Sequence, residues 1–361
     1  MKKWKKSLFG ASTAVFAAAA LTACGGNGDE EAGDDDGDNG DDGAEVEHEW
    51  DFITEETPGQ VQHEYGLEFA ERLEEKSEGS IEVNVHEFGG LGDEVDQLEQ
   101  LQTGQVEMGI VSPGFTGPIV PEAQVFSLHY LFPNDQETVQ EILTESEAIN
   151  EHLRSNYEEQ GFTPLSFWTE GAMAWTSNTE LTSPDDFDGF LMRTQESPLM
   201  LESYEAYGAN PTPMSWGDLY TGLEQGQVEG QENPIFFIED ASFHEVQDYL
   251  IISDHNNYVA TTSVNNDWFD SLDEDLQEMI EETVEEMQDV AFELQEELNE
   301  SHLEEIEENE EYPTEVIELS EEERDEFREL AEPVREFFRE EEGDDAGMIL
   351  DMLEEEIEEM S

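Results

Sequence analysis

Between residues 50 and 111 the apolar residues alternate between two spacings, and this alternation constrains the fold more than any other feature. Segments 50–53 and 81–85 have strand spacing. Between them, apolar residues recur every four positions on one helical face: Val61, Tyr65, Phe69 and Leu73. A second amphipathic segment ends at Gly104 and leads into the apolar strand 106–111. Strands that alternate with helices predict an α/β fold with a mainly parallel sheet.

A short internal repeat predicts a second lobe of similar design. Residues 101–107 read Leu-Gln-Thr-Gly-Gln-Val-Glu, and residues 223–229 read Leu-Glu-Gln-Gly-Gln-Val-Glu. Both segments predict a helix end, a glycine and a strand, and the strands lead into loops at 112–117 and 231–234. Open α/β sheets bind ligands at the carboxyl ends of their strands. Two such loops therefore predict a ligand cleft between two lobes.

The chain becomes helical from Ser271 onward. An apolar stripe over 272–298 predicts a long helix that braces both lobes. Ser320 and Glu323 have the spacing of a capping box at the start of a later helix. We expect lobe I to comprise residues 45–170 with about 260–300. Lobe II is expected to comprise 171–259 with about 301–361 and the C-terminal helices.

The first 44 residues are predicted to lie outside these lobes. A basic start and an apolar stretch up to Leu21 precede Ala23-Cys24, which indicates a lipoprotein signal peptide over 1–23. Cys24 is the only cysteine, which suits lipidation and excludes an intrachain disulfide. The acidic Gly/Asp run over 24–44 predicts a solvated tether, because Gly40 stands where a calcium loop needs a ligand. The expected location is the outer face of the cytoplasmic membrane, through this lipid anchor.

The charge of the chain is strongly negative. There are 96 acidic residues against 12 lysines and arginines, a formal net charge of −84. Loss of the signal segment removes four lysines, which leaves eight cations and a net charge of −88. Such a charge excludes nucleic acid as a partner. Acidic residues spread along the whole chain are typical of a protein that stays soluble in concentrated salt.

Among the eight remaining cations, Arg193 has an unusual context. The others lie in acidic helical segments: Arg72, Lys76, Arg154, Arg324, Arg328, Arg335 and Arg339. Arg193 follows an apolar, strand-like segment at 190–192. A buried guanidinium requires an anionic partner. That partner is either a carboxylate of the chain or the carboxylate of a ligand, which the guanidinium fork suits.

Aromatic residues are frequent around the predicted loops, whereas motifs of catalysis are missing. We expect about three of seven aromatic residues to line a pocket: Phe115, Trp168, Trp175, Trp216, Phe236, Phe237 and Tyr258. The chain has no Gly-x-Ser-x-Gly elbow, phosphate loop or His-x-x-x-His pair. We therefore predict a binding protein that is not an enzyme and uses no cofactor or metal.

Five segments, in order, resemble the solute-binding proteins of tripartite ATP-independent periplasmic (TRAP) transporters. They are residues 112–117, 142–151, 181–194, 208–213 and 230–234. The resemblance implies a periplasmic-binding-protein-like fold of two lobes that close over one solute. It also implies delivery to a small and a large membrane subunit, driven by a sodium gradient.

The resemblance also implies site residues. Arg193 matches the family arginine that binds the ligand carboxylate, and Asn233 matches the asparagine that assists it. No arginine precedes Thr176-Ser177-Asn178, where binders of acidic sugars carry a second one. The similarity is greatest to ectoine and hydroxyectoine binders, in which a glutamate at the position of Glu56 accepts from the ring nitrogens. The expected aromatic ligand contacts are Phe115, Tyr258, Phe236, Trp216 and Trp168.

Other functions remain open from the sequence. The same family includes binders of other monocarboxylates and dicarboxylates, for which Glu56 would be a structural residue. A sensory lipoprotein would share the same cleft without transport. An extracellular hydrolase would need a pair of carboxylates about 5 to 10 Å apart, which no segment of the sequence singles out.

Overall fold

The computed structural model describes residues 46–361, so the predicted signal peptide, Cys24 and the tether lie outside the described residues. The first half contains β1 (His48–Ile53), α1 (Val61–Lys76), β2 (Ile81–His86), α2 (Glu94–Thr103), β3 (Met108–Val111), α3 (Pro113–Thr116), α4 (Gln136–Glu145), α5 (Arg154–Glu159), β4 (Phe162–Ala172) and β5 (Ala174–Ser177). The second half contains β6 (Arg193–Thr194), α6 (Pro198–Ala206), β7 (Thr212–Pro213), α7 (Trp216–Glu224), β8 (Gly230–Asn233), α8 (Ile235–Asp240), β9 (Tyr249–Ile252), β10 (Asn257–Asn265), α9 (Asn266–Ser271), α10 (Glu274–Glu308), β11 (Glu315–Glu318), α11 (Glu321–Glu341) and α12 (Asp344–Met360). Shorter turns of 3₁₀ or π helix cover Pro121–Ser127, Ala148–Leu153, Pro184–Phe187 and Phe243–Glu245.

A five-stranded sheet forms the first lobe, in the order β2-β1-β3-β10-β4. β1 is parallel to β2 and β3, as the alternation of strands and helices predicts. The last two strands differ from that expectation, because β10 is antiparallel to both β3 and β4. The helix α1 buries the apolar face predicted for it, with Val61, Tyr65, Phe69 and Leu73 all fully covered.

The second lobe is built on a four-stranded sheet in the order β11-β9-β5-β8. The short parallel pair β6 and β7 adjoins this sheet through a bridge between Met192 and Gly230. A further hydrogen bond, from Glu229 N to the Leu191 carbonyl at 2.7 Å, holds β6 beside the start of β8. These contacts attach Arg193 to the second lobe.

Two chain crossings and one long helix join the lobes. Only Met173 separates β4 of the first sheet from β5 of the second, and residues 253–256 join β9 to β10 in the return direction. The helix α10 has 35 residues. Its Ile280 and Met287 lie in the core of the first lobe, and Ile306 lies in a core of the second. The predicted bracing helix is confirmed.

The end of the chain departs from the predicted lobe boundaries. In α11, Phe327 packs in the second lobe and Phe338 in the first, with Pro333 between them. The whole apolar face of α12 packs in the first lobe, with Ile349 and Leu353 in its core. The assignment of 301–361 to lobe II was wrong for α12, because its apolar stripe is covered by distant residues of the 120–153 region. Within residues 46–361, no helix is both long and apolar enough to cross a membrane.

Candidate functional site

A cavity lies between the two lobes. The first lobe contributes residues that follow β1 and β3, and the second contributes β6, the start of α7 and the segment after β8. The lining side chains are Glu55, Glu94, Phe115, Arg193, Gln195, Trp216, Asn233, Phe237 and Tyr258. The two loops expected from the internal repeat both reach this cavity, through Phe115 and Asn233.

Arg193 is held in the cavity wall by its own lobe. Its Nε donates to the carbonyl of Met214 at 3.0 Å, and the side chain is only 2% exposed. β6 pairs with β7 in a register that sets Arg193 opposite Thr212, which brings Met214 within reach. Burial lowers the pKa of Arg193, and the nearby carboxylates Glu94 and Glu232 oppose that shift. An arginine nevertheless keeps its charge in a protein, so the cavity contains a buried cation.

Arg193 differs from every other lysine and arginine in the described part of the chain. Each of the other seven has a carboxylate within 4 Å. Arg324, which is also buried, pairs with Asp254 at 2.7 Å. Among residues 46–361, no carboxylate lies within that distance of Arg193. The sequence left an internal salt bridge open as an alternative, and the described residues contain none.

Asn233 ends β8 and is buried beside a polar network of the second lobe. Its side-chain amide donates to Gln231 Oε1. The preceding residue, Glu232, accepts from Tyr204 Oη at 2.5 Å and lies 2.6 Å from His255 Nε2. Burial lowers the pKa of His255 to about 3, so the imidazole is neutral and donates to the carboxylate. The network holds the end of β8, and therefore Asn233, in place.

Three aromatic rings follow one another along one side of the cavity. Trp216 and Phe237 meet edge to face with ring centroids 5.1 Å apart, and Phe237 and Tyr258 are 5.6 Å apart. Phe115 lies in the short helix α3 and is 7% exposed. Such faces attract a delocalised cation. The expected contacts Phe115, Trp216 and Tyr258 are therefore brought together.

Two of the expected aromatic contacts lie in the core instead. Trp168 is fully buried, stacks on Tyr65 at 5.1 Å and donates its indole N–H to Thr262. Phe236 is also fully buried and stacks at 4.3 Å on Phe237, which is the residue that lines the cavity. The reason is the direction of each side chain within β4 and α8, which a local sequence pattern does not specify.

Glu55 is the glutamate after β1 that reaches the cavity. Its Oε1 accepts from Ser112 N at 3.1 Å, and its buried Oε2 has no hydrogen-bond partner in the described residues. Burial raises the pKa of Glu55 to about 8, and the nearby Glu94 and Glu170 add to that shift. The family resemblance pointed to its neighbour Glu56. Nothing in the sequence shows which of two adjacent glutamates faces the cavity.

Glu56 lies behind the cavity, against α1. Its Oε2 accepts from Gln62 N at 2.6 Å, and Gln62 also donates from its amide to Glu170 Oε1 at 2.8 Å. Burial and the closeness of Glu170 raise the pKa of Glu56 well above its usual range. Both effects favour the protonated form of Glu56, and Glu56 does not line the cavity. Successive residues after a strand point to opposite sides, which separates Glu56 from Glu55.

Two further cavity residues were not predicted. Glu94 begins α2 and is 3% exposed; burial raises its pKa, while Arg193 opposes the rise. Gln195 is 9% exposed and lies two positions after Arg193. Strand residues at intervals of two share a face, so this spacing was the signal that would have identified Gln195. No comparable signal in the sequence singles out Glu94.

Comparisons with known proteins agree with this architecture. A sequence profile described as "Bacterial extracellular solute-binding protein, family 7" matches residues 52–341. The ectoine-binding periplasmic protein TeaA of Halomonas elongata is 40% identical over 233 residues, 64% of this chain and 68% of that protein. The ectoine/5-hydroxyectoine-binding periplasmic protein UehA of Ruegeria pomeroyi is 38% identical over 232 residues, with the same shares of the two chains, 64% and 68%.

The solved structures give the same result. The high-resolution structure of the periplasmic ectoine-binding protein from the TeaABC TRAP transporter of Halomonas elongata superposes with a TM-score of 0.83 at 36% identity. The superposition covers 86% of this chain and 99% of that one. The chain therefore belongs to family 7 of the bacterial extracellular solute-binding proteins and is a solute-binding protein of the TRAP type.

Proposed function

We propose that this protein captures a small zwitterion, ectoine or hydroxyectoine, and delivers it to a small and a large TRAP membrane subunit. One observation carries the choice of ligand class. In a chain with 96 acidic residues, the buried Arg193 has no carboxylate within 4 Å among residues 46–361. A ligand carboxylate supplies the missing partner through the guanidinium fork, with Asn233 beside it.

The cationic part of the ligand has a matching surface in the same cavity. Glu55 and Glu94 supply carboxyl groups. A cation beside them favours their ionised form against the effect of burial, and the unpartnered Oε2 of Glu55 then accepts from a ring N–H of the ligand. Trp216, Phe237 and Tyr258 cover the delocalised charge with their ring faces. We assign to Glu55 the role that the sequence comparison suggested for Glu56. The names of the relatives TeaA and UehA point to the same ligand class.

A dicarboxylate is the second candidate, and the charges of the cavity oppose it. Arg193 is the single lysine or arginine among the lining residues, and two of the others are glutamates. A second carboxylate would be buried next to Glu55 or Glu94 without a cation, which costs several kcal/mol. A monocarboxylate without a positive charge would leave Glu55 Oε2 without a partner.

Calorimetric titration tests the proposal. The chain from residue 44 onward is titrated in molar NaCl with ectoine, hydroxyectoine, succinate and sialic acid. We expect saturable heat with one or both ectoines and at least about 100-fold weaker binding of succinate, which corresponds to about 2.7 kcal/mol. Tight binding of succinate with no heat from either ectoine would exclude the zwitterion.

Export and membrane attachment belong to the same proposal. The segment 1–23 directs export, and lipidation of Cys24 holds the protein at the outer face of the cytoplasmic membrane. In cells, we expect the protein in the membrane fraction and Cys24→Ser in the soluble fraction after detergent-free lysis. Recovery of both proteins in the same fraction contradicts the anchor.

A further inference from the structure

Gln195 crosses from the second lobe to the first. It follows β6, whose Arg193 faces the cavity, and its side chain is 9% exposed. Its amide Nε2 donates to Tyr258 Oη at 3.4 Å, and Tyr258 belongs to β10 of the first sheet. The contact therefore joins the two lobes next to the residue proposed to bind the ligand carboxylate.

The end of this side chain lies directly on Gly114 of the first lobe. A Cβ atom built on Gly114 would lie 1.9 Å from Gln195 Oε1 and 2.4 Å from its Cδ. The three nearest obstacles to that Cβ all belong to the Gln195 side chain. Gly114 does not have a left-handed backbone, so a Cβ atom is accommodated here only if the flexible end of the Gln195 side chain moves away.

Gln195 also separates the ligand cavity from a second space. The second space is lined in part by Ser112, Gly114 and Asn256. Gln195 and Tyr258 line both spaces. The Gln195–Tyr258 contact is therefore a wall of the ligand cavity made by one side chain from each lobe.

We propose that Gln195 is a latch that sets the rate of solute release by docking on Gly114 and Tyr258 when the lobes close. The contact joins residues of different lobes, so opening of the cleft breaks it. An interaction present only in the closed state slows dissociation and leaves the association rate unchanged. The latch rests on closure of the lobes over a solute and not on the identity of that solute.

A double-mutant cycle tests the latch. Four proteins are compared, all without residues 1–23 and with Cys24→Ser: the parent, Gln195→Ala, Gly114→Ala and the double variant. Ectoine dissociation is followed by stopped-flow tryptophan fluorescence, since Trp216 lines the cavity. The control is Gly117→Ala in the same loop, made alone and together with Gln195→Ala. A Cβ at Gly117 meets Gln124 Cγ at 2.8 Å, and no atom of Gln195 is among its nearest obstacles.

The expected results follow from the clash. Gly114→Ala displaces the Gln195 side chain and speeds ectoine release by about tenfold or more. Gln195→Ala speeds release by about threefold to tenfold, and adding Gly114→Ala to it has no further effect, because the obstructing side chain is gone. The effect of Gly117→Ala is the same with or without Gln195. Equal effects of Gly114→Ala in both backgrounds overturn the latch.

A second readout does not depend on ectoine. Spin labels are attached at Glu82→Cys in the first lobe and Glu224→Cys in the second, both exposed positions. Double electron–electron resonance then measures the distance between the lobes. We expect Gly114→Ala to reduce the closed fraction and Gln195→Ala to abolish that effect of Gly114→Ala. Failure of ectoine to bind the parent refutes the proposed ligand, while this distance cycle still decides the latch: additive effects on the closed fraction refute it.

Discussion

Arg193 and Glu55 are two buried ionisable side chains that each lack part of the hydrogen bonding that burial requires. Arg193 has Met214 as its partner, and Glu55 Oε2 has none among residues 46–361. An unsatisfied buried polar atom costs about 1 to 3 kcal/mol, more when it is charged. A zwitterion in the cavity would satisfy both groups together, so the binding that we propose would recover part of this cost.

Substitution of Arg193 separates a ligand-binding role from a structural one. Arg193→Ala is expected to bind ectoine more weakly by about 2 to 5 kcal/mol, or about 30-fold to several thousand-fold, because a buried carboxylate loses its partner. Arg193→Lys keeps the charge but loses the fork and is expected to be intermediate, still at least about tenfold weaker. Calorimetry measures both affinities.

The matched control is Arg324→Ala, which removes a buried arginine that has its own carboxylate, Asp254. It is expected to lower the free energy of unfolding by about 3 to 5 kcal/mol, whereas Arg193→Ala lowers it little. A folded Arg193→Ala protein with the affinity of the parent for every solute tested refutes the role of Arg193.

The raised pKa of Glu55 predicts a pH dependence of stability. Burial raises this pKa from 4.5 to about 8, so the folded protein retains a proton that the unfolded chain releases between these values. The contribution of Glu55 to stability is therefore greatest below about pH 4.5 and is lost as the pH rises to about 8. Glu170, with a pKa raised to about 7, acts in the same direction.

Urea unfolding of the ligand-free protein in molar NaCl at pH 5 and pH 8 measures this effect. We expect lower stability at pH 8 and a clearly smaller difference in Glu55→Gln, by a few kcal/mol at about 1.4 kcal/mol per pKa unit. Glu47→Gln, at an exposed position, is expected to behave like the parent. A Glu55→Gln protein with the pH dependence of the parent would show that Glu55 is ionised in the folded state.

At the scale of elements, the sequence repeat is also a repeat of backbone structure. Gln105 N and Val106 N both donate to the carbonyl of Gln100, and Gln227 N and Val228 N both donate to that of Gly222. Gly104 and Gly226 have φ values of 70° and 66°. Each glycine ends a helix in the left-handed conformation, after which the chain enters the strand whose carboxyl end reaches the cavity side of its sheet.

The two glycines predict different costs for the same substitution. Gly226→Ala meets no atom within 4 Å, so it is expected to cost only the left-handed strain of about 1 kcal/mol. A Cβ on Gly104 approaches Asn265 Oδ1 at 3.1 Å, and Asn265 is held by a 2.9 Å hydrogen bond to the Leu101 carbonyl. Gly104→Ala is therefore expected to cost more. Equal losses of stability for Gly104→Ala and Gly226→Ala in urea unfolding would show that the Asn265 side chain moves away at no cost.

For the whole molecule, charge is the dominant property. Acidic residues cover helical surfaces such as that of α10, where Glu293, Glu297, Glu300 and Glu304 line one exposed side. Like charges four residues apart destabilise a helix in dilute solution. Salt shortens the range of this repulsion from about 10 Å at 0.1 M to about 3 Å at 1 M.

We therefore expect the melting temperature to fall by at least about 10 °C between 3 M and 0.1 M NaCl, since each kcal/mol corresponds to about 2 to 4 °C in a protein of this size. A variant with Glu293, Glu297, Glu300 and Glu304 replaced by glutamine is expected to lose less. Scanning calorimetry measures both proteins. A melting temperature independent of salt would contradict this account of the composition.

The sequence by itself determined the order of strands and helices in the first lobe and the long helix α10, and it distinguished Arg193 from the other cations. These features are local: apolar periodicity specifies α1, a glycine ends α2, and Ser320 with Glu323 caps α11. Arg193 was distinguished by its context in a chain with few cations. The family motifs then brought Phe115, Trp216, Asn233 and Tyr258 to one site, and these residues do meet there.

Only the tertiary structure decided which neighbour of a pair faces the cavity and where the C-terminal helix packs. Glu55 rather than Glu56, and Phe237 rather than Phe236, line the cavity, because side-chain direction depends on how α1 and α8 pack around them. The apolar face of α12 could cover either lobe by its pattern alone. Its partners lie some 200 residues away in the chain, and a local pattern carries no information about contacts at that separation.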